Sequence, residues 1–298
     1  MGKNWEGKGR DRDRYEDRGR DRPFFKKGPT KRELILEEMK QKMKAAYLQR
    51  DALLIYVEGM IEDLEKVTNL IFERENEWYS LYFPELKILD RTKYCKLVLA
   101  IDKEDPKGTE ERVRELAGDK ANDVLRQLST STGIEMLGKD LERIREGAQK
   151  IIELSKYKED LERYEEGVAK EVCPNLAEVG GPKIAAKLIA HVGGLQKLAK
   201  LPASTIQVLG AEKALFKHMK KHTKPPKHGL IFQHNAVHSA PKSVRGKIAR
   251  AIATKLAMAV KVDAYSKRFI GKEMKEKLDA KIKDILAKES AKSHAPAQ

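Results

Sequence analysis

Two histidines four residues apart, His218 and His222 in the run HMKKH, have the spacing at which one helix face offers two ligands to a zinc ion. No Glu follows His218, and Lys220 and Lys221 between them repel a dication, so the sequence assigns no metal, cofactor or catalytic residue. A metal-dependent hydrolase built on this pair is the weaker reading. The surrounding segment, residues 210–234 (GAEKALFKHMKKHTKPPKHGLIFQH), holds Lys213, Lys217, Lys220, Lys221, Lys224 and Lys227 among apolar residues and four histidines. Such lysines attract phosphates whatever the base sequence, while Phe216, His228, Phe232 and His234 can stack on unpaired bases or cap a duplex end. The plainer alternative makes Leu215, Phe216, Ile231 and Phe232 core residues, and that is the expectation for Ile231 and Phe232. A turn at residues 180–183, GGPK, lacks the Gly-Lys-Ser/Thr ending of a phosphate loop and gives nucleotide hydrolysis no support. It reads as a helix start, with Pro182 first and Lys183 and Lys187 behind it, or as the turn of a helix-hairpin-helix DNA-binding module, echoed at Gly193-Gly194.

The formal charge of +15 on 298 residues is uneven along the chain. Residues 1–29 contribute +4, residues 30–173 −6, residues 174–250 +12 and residues 251–298 +5. Solubilising faces mix both signs, whereas 174–250 has 14 Lys/Arg against 2 Asp/Glu, the footprint of a surface that lies against phosphates. Cys95 and Cys173 match no metal spacing and are too few for a disulfide framework, so both read as packing residues in a reducing setting. No apolar run approaches the roughly 20 residues that span a bilayer, and the N-terminus lacks a signal peptide's apolar segment, so no membrane partner is expected.

The elements that would position the basic segment are helical, and the expected fold class is all-α. Residues 1–29 alternate Arg with Asp and read as a disordered Arg/Asp/Gly-rich tail. From Thr30, which forms a capping-box pattern with Glu33, a helix is predicted over residues 30–82, roughly 80 Å long. Its predicted coiled-coil seam is Leu54, Val57, Ile61, Leu64, Thr68, Ile71 and Trp78. A second helix carries Ile134, Leu137, Leu141, Ile144, Ala148 and Ile151 and runs through Leu161, Tyr164 and Val168 to Cys173-Pro174. The two make a long antiparallel coiled-coil hairpin over 30–173, with short helices at its tip where Pro84, the DKEDPKG run and Gly118 interrupt the chain. Residues 174–287 read as a compact α-helical domain punctuated by Gly and Pro. It includes one Ala-rich helix over 243–269 with Ile248, Ile252, Leu256 and Ala259 inward and Arg245, Lys247 and Arg250 outward. Residues 288–298 read as a frayed tail.

The run GAEKALFKHMK…PPKHGLIFQH, followed by PKSVRGKIARAIATKLAMAVKVDAY, resembles the signature of the Nop-domain family. That family comprises the archaeal and eukaryotic box C/D small-RNP scaffolds and the related spliceosomal tri-snRNP factor. Segments 55–86, 129–144 and 172–210 extend the resemblance over residues 30 to about 287. It implies a non-catalytic scaffold whose coiled coil self-associates, as homodimer or heterodimer. Its C-terminal domain would bind a kink-turn guide RNA only together with a small, ribosomal-type kink-turn-binding protein, supporting guided ribose methylation or RNP assembly. Carried over by position, Gly210, Ala211, Glu212 and Lys213 form an RNA-contacting element. Ala214, Leu215 and Phe216 with Lys217 cap the guide–substrate duplex, Lys217 standing where relatives often have Arg and so keeping charge without planar stacking. Lys220, Lys221 and Arg250 are further RNA-binding residues, and His228, Lys224, Lys227, Gln233, Arg245 and Lys247 face the kink turn. Full-length scaffolds of this family carry an N-terminal domain that docks the fibrillarin methyltransferase. The Arg/Asp tail stands in its place, which leaves fibrillarin docking open. A Lys/Glu-rich archaeal reading implies the cytoplasm and a eukaryotic one the nucleolus or nucleus. The competing reading is a helix-hairpin-helix DNA-binding accessory protein.

Overall fold

Thr30 and Glu33 satisfy each other at the start of the first helix: the Glu33 amide donates to Thr30 Oγ1 at 3.3 Å and the Thr30 amide to Glu33 Oε2 at 2.7 Å. The computed structural model describes residues 30–48 and 50–293, and the 1–29 tail lies outside them. That first helix, α1 (Lys31–Leu48), belongs up to Ala46 to one unit, and the chain from Tyr47 onward is a second. Within the second unit, in chain order, lie α2 (Asp51–Tyr79), α3 (Arg91–Ala100), α4 (Pro106–Ala117), α5 (Ala121–Ser129), α6 (Gly138–Val172) and α7 (Pro174–Gly180). They continue with α8 (Pro182–Val192), α9 (Leu195–Ala199), α10 (Ala203–Val208), α11 (Glu212–Lys221), α12 (Asn235–His238), α13 (Arg245–Lys261) and α14 (Gly271–Ser293). Among the described residues there is no strand.

The single helix expected over 30–82 is divided before Asp51, because the residues there are held from elsewhere. Asp51 Oδ2 accepts the Leu195 amide at the start of α9 at 3.0 Å, and Arg50 pairs with Glu171. α2 and α6 then run antiparallel: Glu58 faces Glu165, Glu65 meets Lys158 at 2.5 Å, and Glu75 lies over Gly147. The seam differs from the expected one. Leu54, Glu58, Ile61, Thr68, Glu75 and Tyr79 are the buried positions of α2, while Val57 and Leu64 are only half-buried and Ile71 and Trp78 are exposed. On α6, Leu141, Ile144, Ala148, Ile151, Ser155, Glu165, Val168 and Ala169 are buried. Ile134 and Leu137 are exposed and precede the helix, since the Ile134 amide bonds the Leu81 carbonyl at 2.8 Å and Leu137 is an extended N-cap.

At the tip, α3, α4 and α5 surround a core of Tyr79, Phe83, Tyr94, Leu97, Val98 and Val113. Phe72 and Tyr94 meet edge to face at 5.3 Å. The DKEDPKG run is a helix start: Asp105 accepts the Gly108 amide at 3.1 Å with Pro106 in the first turn. Cys95 and Cys173 are both buried, and burial pushes the Cys95 thiol up to about 12.

A second core joins the hairpin's base, through Leu54, Val168 and Ala169, to helices α7–α10 and α12–α14. Ile248, Ile252, Leu256 and Ala259 face inward on α13 as expected. That helix stops at Lys261 rather than 269, giving way to a π-helical turn over Val262–Ser266. Buried Asp263 explains the change: its carboxylate accepts the Asn175 and Leu176 amides at 3.1 and 2.8 Å and Asn175 Nδ2 at 2.6 Å. α14 extends to Ser293, past the expected frayed end at 288.

Where hairpin and second core meet, Glu58 and Glu165 are 4% and 2% exposed, with Lys187 3.8 Å from Glu58. Burial, then the Glu58 carboxyl, pushes Glu165 well above its ordinary 4.5. The folded state therefore holds a proton that the unfolded chain releases, so this site's stability is full below about pH 4.5 and is lost as pH rises. Glu165→Gln is expected to stabilise the fold by on the order of 2 kcal/mol at pH 8 and to change little near pH 4. Thermal melts across pH test this, and an equal effect at both ends would contradict it.

Candidate nucleic-acid interface

Residues 210–228 form an excursion pinned at a neck. The Gly229 amide donates to the Gln207 carbonyl at 3.0 Å, and the Leu230 amide to the Leu209 carbonyl at 2.7 Å. Gln207 Nε2 adds a bond to the Lys227 carbonyl at 2.7 Å. Both ends need glycine. Gly210 has φ +83°, and a Cβ on Gly229 would stand 1.9 Å from the Leu209 carbonyl oxygen.

Within the excursion, the Gly210 amide donates to Glu212 Oε1 at 2.7 Å, and His191 Nε2 on α8 meets the same oxygen at 2.7 Å. Burial alone would raise the Glu212 carboxyl; the Gly210 and Glu212 N–H donors and His191 bring it below its ordinary value. Ala211 and Glu212 are half-buried and face the body, whereas Lys213 is exposed. α11 has no buried residue: Ala214 is exposed, Leu215 half-buried, and Phe216 and Met219 are 58% and 66% exposed. Lys213, Lys217 and Lys220 recur at i, i+4 and i+7 on one face, with Lys221 beside them, and no acid pairs with any of the four among the described residues.

His218 and His222 do not make a ligand pair. His222 takes a left-handed conformation that ends α11, and His218 Nδ1 is bonded to the Thr223 carbonyl. No three His, Cys, Asp or Glu side chains converge to hold a metal among the described residues. His228 stacks on Phe232 at 4.6 Å and 16°, and the Arg245 guanidinium lies over the Phe232 ring at 5.4 Å. Burial first, then Arg245 and Lys227, lowers the His228 pKa, so its ring is neutral at pH 7. Ile231 is buried, as expected, whereas Phe232, expected in the core, is only half-buried against it. Two donor groups of Arg245 are committed to the Ala240 and His238 carbonyls at 2.8 and 3.0 Å, so it braces this stack more than it faces outward.

Gln233, Lys247 and Arg250 are exposed. Lys224, Lys227, Lys247 and Arg250 share one cleft, which the α11 lysines do not line. Lys183 of GGPK and Lys187 behind it point elsewhere: Lys183 meets Glu162 at 2.6 Å and Lys187 Glu58 at 3.8 Å, so carboxylates of the hairpin occupy the cations a DNA-binding turn would need. His191 and Gln207 had no local sequence signal, since their partners lie about 20 residues away. No helix among the described residues is long and apolar enough to cross a membrane.

A family profile described as "Nop: snoRNA binding domain, fibrillarin" matches residues 60–284. An uncharacterized NOP5 family protein of Methanocaldococcus jannaschii is 40% identical over 254 residues, covering 85% of this chain and 61% of that protein. Nucleolar protein 58 of Candida glabrata is 35% identical over 254 residues, 83% of this chain and 49% of its own length. For nucleolar protein 56 of Dictyostelium discoideum the figures are 38% over 223 residues, 72% and 41%. The chain thus spans between 41% and 61% of the length of these relatives. The solved structure of a fibrillarin/Nop5p complex covers 75% of this chain and 78% of its own at 27% identity and a TM-score of 0.41. With the profile spanning residues 60–284, most of α2, all of α6 and every element of the basic interface fall inside it, and the chain belongs to the Nop family.

Proposed function

We propose that this chain is a non-catalytic RNP scaffold that binds a kink-turn, box C/D-type RNA jointly with a small kink-turn-binding protein. The observation that carries this reading is α11, a lysine-faced helix with no buried residue and an exposed Phe216, fixed to the body by the neck and by Glu212. A helix with that much exposed apolar surface, held in one place, is shaped for a partner surface. In this reading Lys213 and Lys217 meet phosphates, while Ala214, Leu215 and Phe216 abut the end of a duplex. The neutral His228 ring, presented by Phe232, faces the kink turn with Lys224, Lys227 and Gln233.

Specificity then comes from the joint surface of RNA and small protein, and charge supplies affinity and salt dependence. Lys213→Ala with Lys217→Ala is expected to weaken assembly with kink-turn RNA and the small protein about tenfold, leaving the thermal melt unchanged, as read by gel shift at one salt concentration. An unchanged assembly constant removes α11 from the contact. Equal binding of bare RNA with and without the small protein ends the joint-surface reading, and tighter binding of duplex DNA favours the helix-hairpin-helix alternative.

Self-association belongs to the same proposal. Tyr56, Met60, Val67, Leu70 and Trp78 are exposed on the face of α2 turned away from its seam, an apolar stripe suited to a second hairpin of this or a related chain. Sedimentation velocity reads that step, and adding fibrillarin to the assembled RNP tests guided methylation.

A further inference from the structure

The cleft shared by four of the basic residues has a second wall that lies outside the segment discussed above. It is bounded by the Lys224–Lys227 loop on one side and α14 on the other, with α13 between, and has a volume of about 980 Å³. Lys224 stands on the loop, Lys247, Arg250 and Lys255 on α13, and Lys277 and Lys281 on α14, and no Asp or Glu lines it. Lys277 alone among these six makes an ion pair, with Glu273 at 2.5 Å, and both partners are largely exposed. The cations line both walls and α13 between them, while Pro225 and Pro226 on the loop wall and half-buried Ile285 on the α14 wall add apolar surface.

We propose that this cleft takes an unpaired RNA strand continuing from the kink-turn interface, with phosphates on the cations of α13 and the two walls and base faces against Pro225, Pro226 and Ile285. This rests on the RNA-scaffold reading above for the identity of the strand. Cations on opposite walls of a groove neutralise a backbone that runs along it, and apolar surface between them accepts any base by its flat face. The lining carries no ring to stack on, so the site discriminates little between bases. An acidic peptide would be drawn by the same cations but has no flat apolar groups to place on Pro225, Pro226 and Ile285.

The test uses the full chain and fluorescein-labelled decauridylate at ~0.1 M salt. Lys277→Ala with Lys281→Ala is expected to weaken oligonucleotide binding about fivefold and to lower the log–log salt slope by about 1.4, two phosphate contacts' worth. Assembly on a minimal kink-turn RNA with the small protein should stay within about twofold. Lys272→Ala with Lys283→Ala removes the same charge from exposed positions of α14 outside the cleft and should leave decauridylate binding unchanged. Equal losses from both double variants would mean diffuse attraction and overturn the proposal. So would no loss from the first, or poly-glutamate displacing decauridylate as well as unlabelled decauridylate does. If decauridylate binds through the cleft but the kink-turn complex never forms, the scaffold reading fails and the strand site stands.

Discussion

Gly229→Ala is expected to abolish at least nine-tenths of assembly with kink-turn RNA and the small protein while leaving the hairpin folded. The added methyl has nowhere to go, because the atom it meets at 1.9 Å is the backbone oxygen of Leu209, which cannot swing aside as a side chain would. The neck must open, releasing the bonds between Gly229 and Gln207 and between Leu230 and Leu209, worth about 1 kcal/mol each. α11 buries nothing of its own, and with the neck open the exposed contact between Glu212 and His191 is left to keep its place. Amide exchange should quicken across 210–228 while α13 stays protected. An assembly constant equal to the parent chain's would show that the excursion's position is irrelevant to binding.

Asp263→Ala is the substitution with the largest expected effect on stability, on the order of 4 kcal/mol. Three N–H donors lose their acceptor at a site only 5% exposed, where water cannot replace it. Burial raises the carboxyl above its ordinary value, and the three donors pull it back down. The damage spreads because Asn175 is shared: its Oδ1 accepts the Ile270 amide at 2.6 Å and its Nδ2 donates to the Arg268 carbonyl at 2.7 Å. One substitution therefore loosens α7, the π-helical turn and the entry to α14 together. Asp263→Asn keeps the volume but cannot accept from all three donors, and should recover only part of the loss. Urea midpoints measure both, and a change under about 1 kcal/mol for the alanine variant would contradict this account.

The sequence made the helices, the hairpin and the basic segment legible, because each is a local pattern of spacing or charge. The seam was misread for a definite reason. Half of α2's buried line is polar, with Glu58, Thr68 and Glu75, while apolar Val57, Leu64 and Ile71 recur at similar spacing along a neighbouring face, so counting spacing finds Leu54, Ile61 and Thr68 but mixes them with that second stripe. Ile134 and Leu137 continued the period of α6 past its start, where the chain is fixed by Leu81, more than 50 residues away. The break before Asp51 and the end of α13 at Lys261 were likewise set by distant partners, Leu195 and Glu171 in one case and Asn175 and Leu176 in the other. Of the interface, the exposed lysines were readable from composition. The neck and the His191–Glu212 contact were not, because nothing local announces a pairing across a loop.

The polar residues in the seam make the hairpin a ruler. Two helices joined by aliphatic side chains alone can slip past one another by a heptad, about 10 Å, and pack almost as well. Here slippage would part Glu65 from Lys158 and bring a bulkier residue than Gly147 against Glu75, where even a Cβ would stand 2.4 Å from the carboxylate. Burial pushes the Glu75 carboxyl up to about 7. The two strands of the hairpin are locked in a single register, and any assembly built on both its ends inherits one fixed spacing.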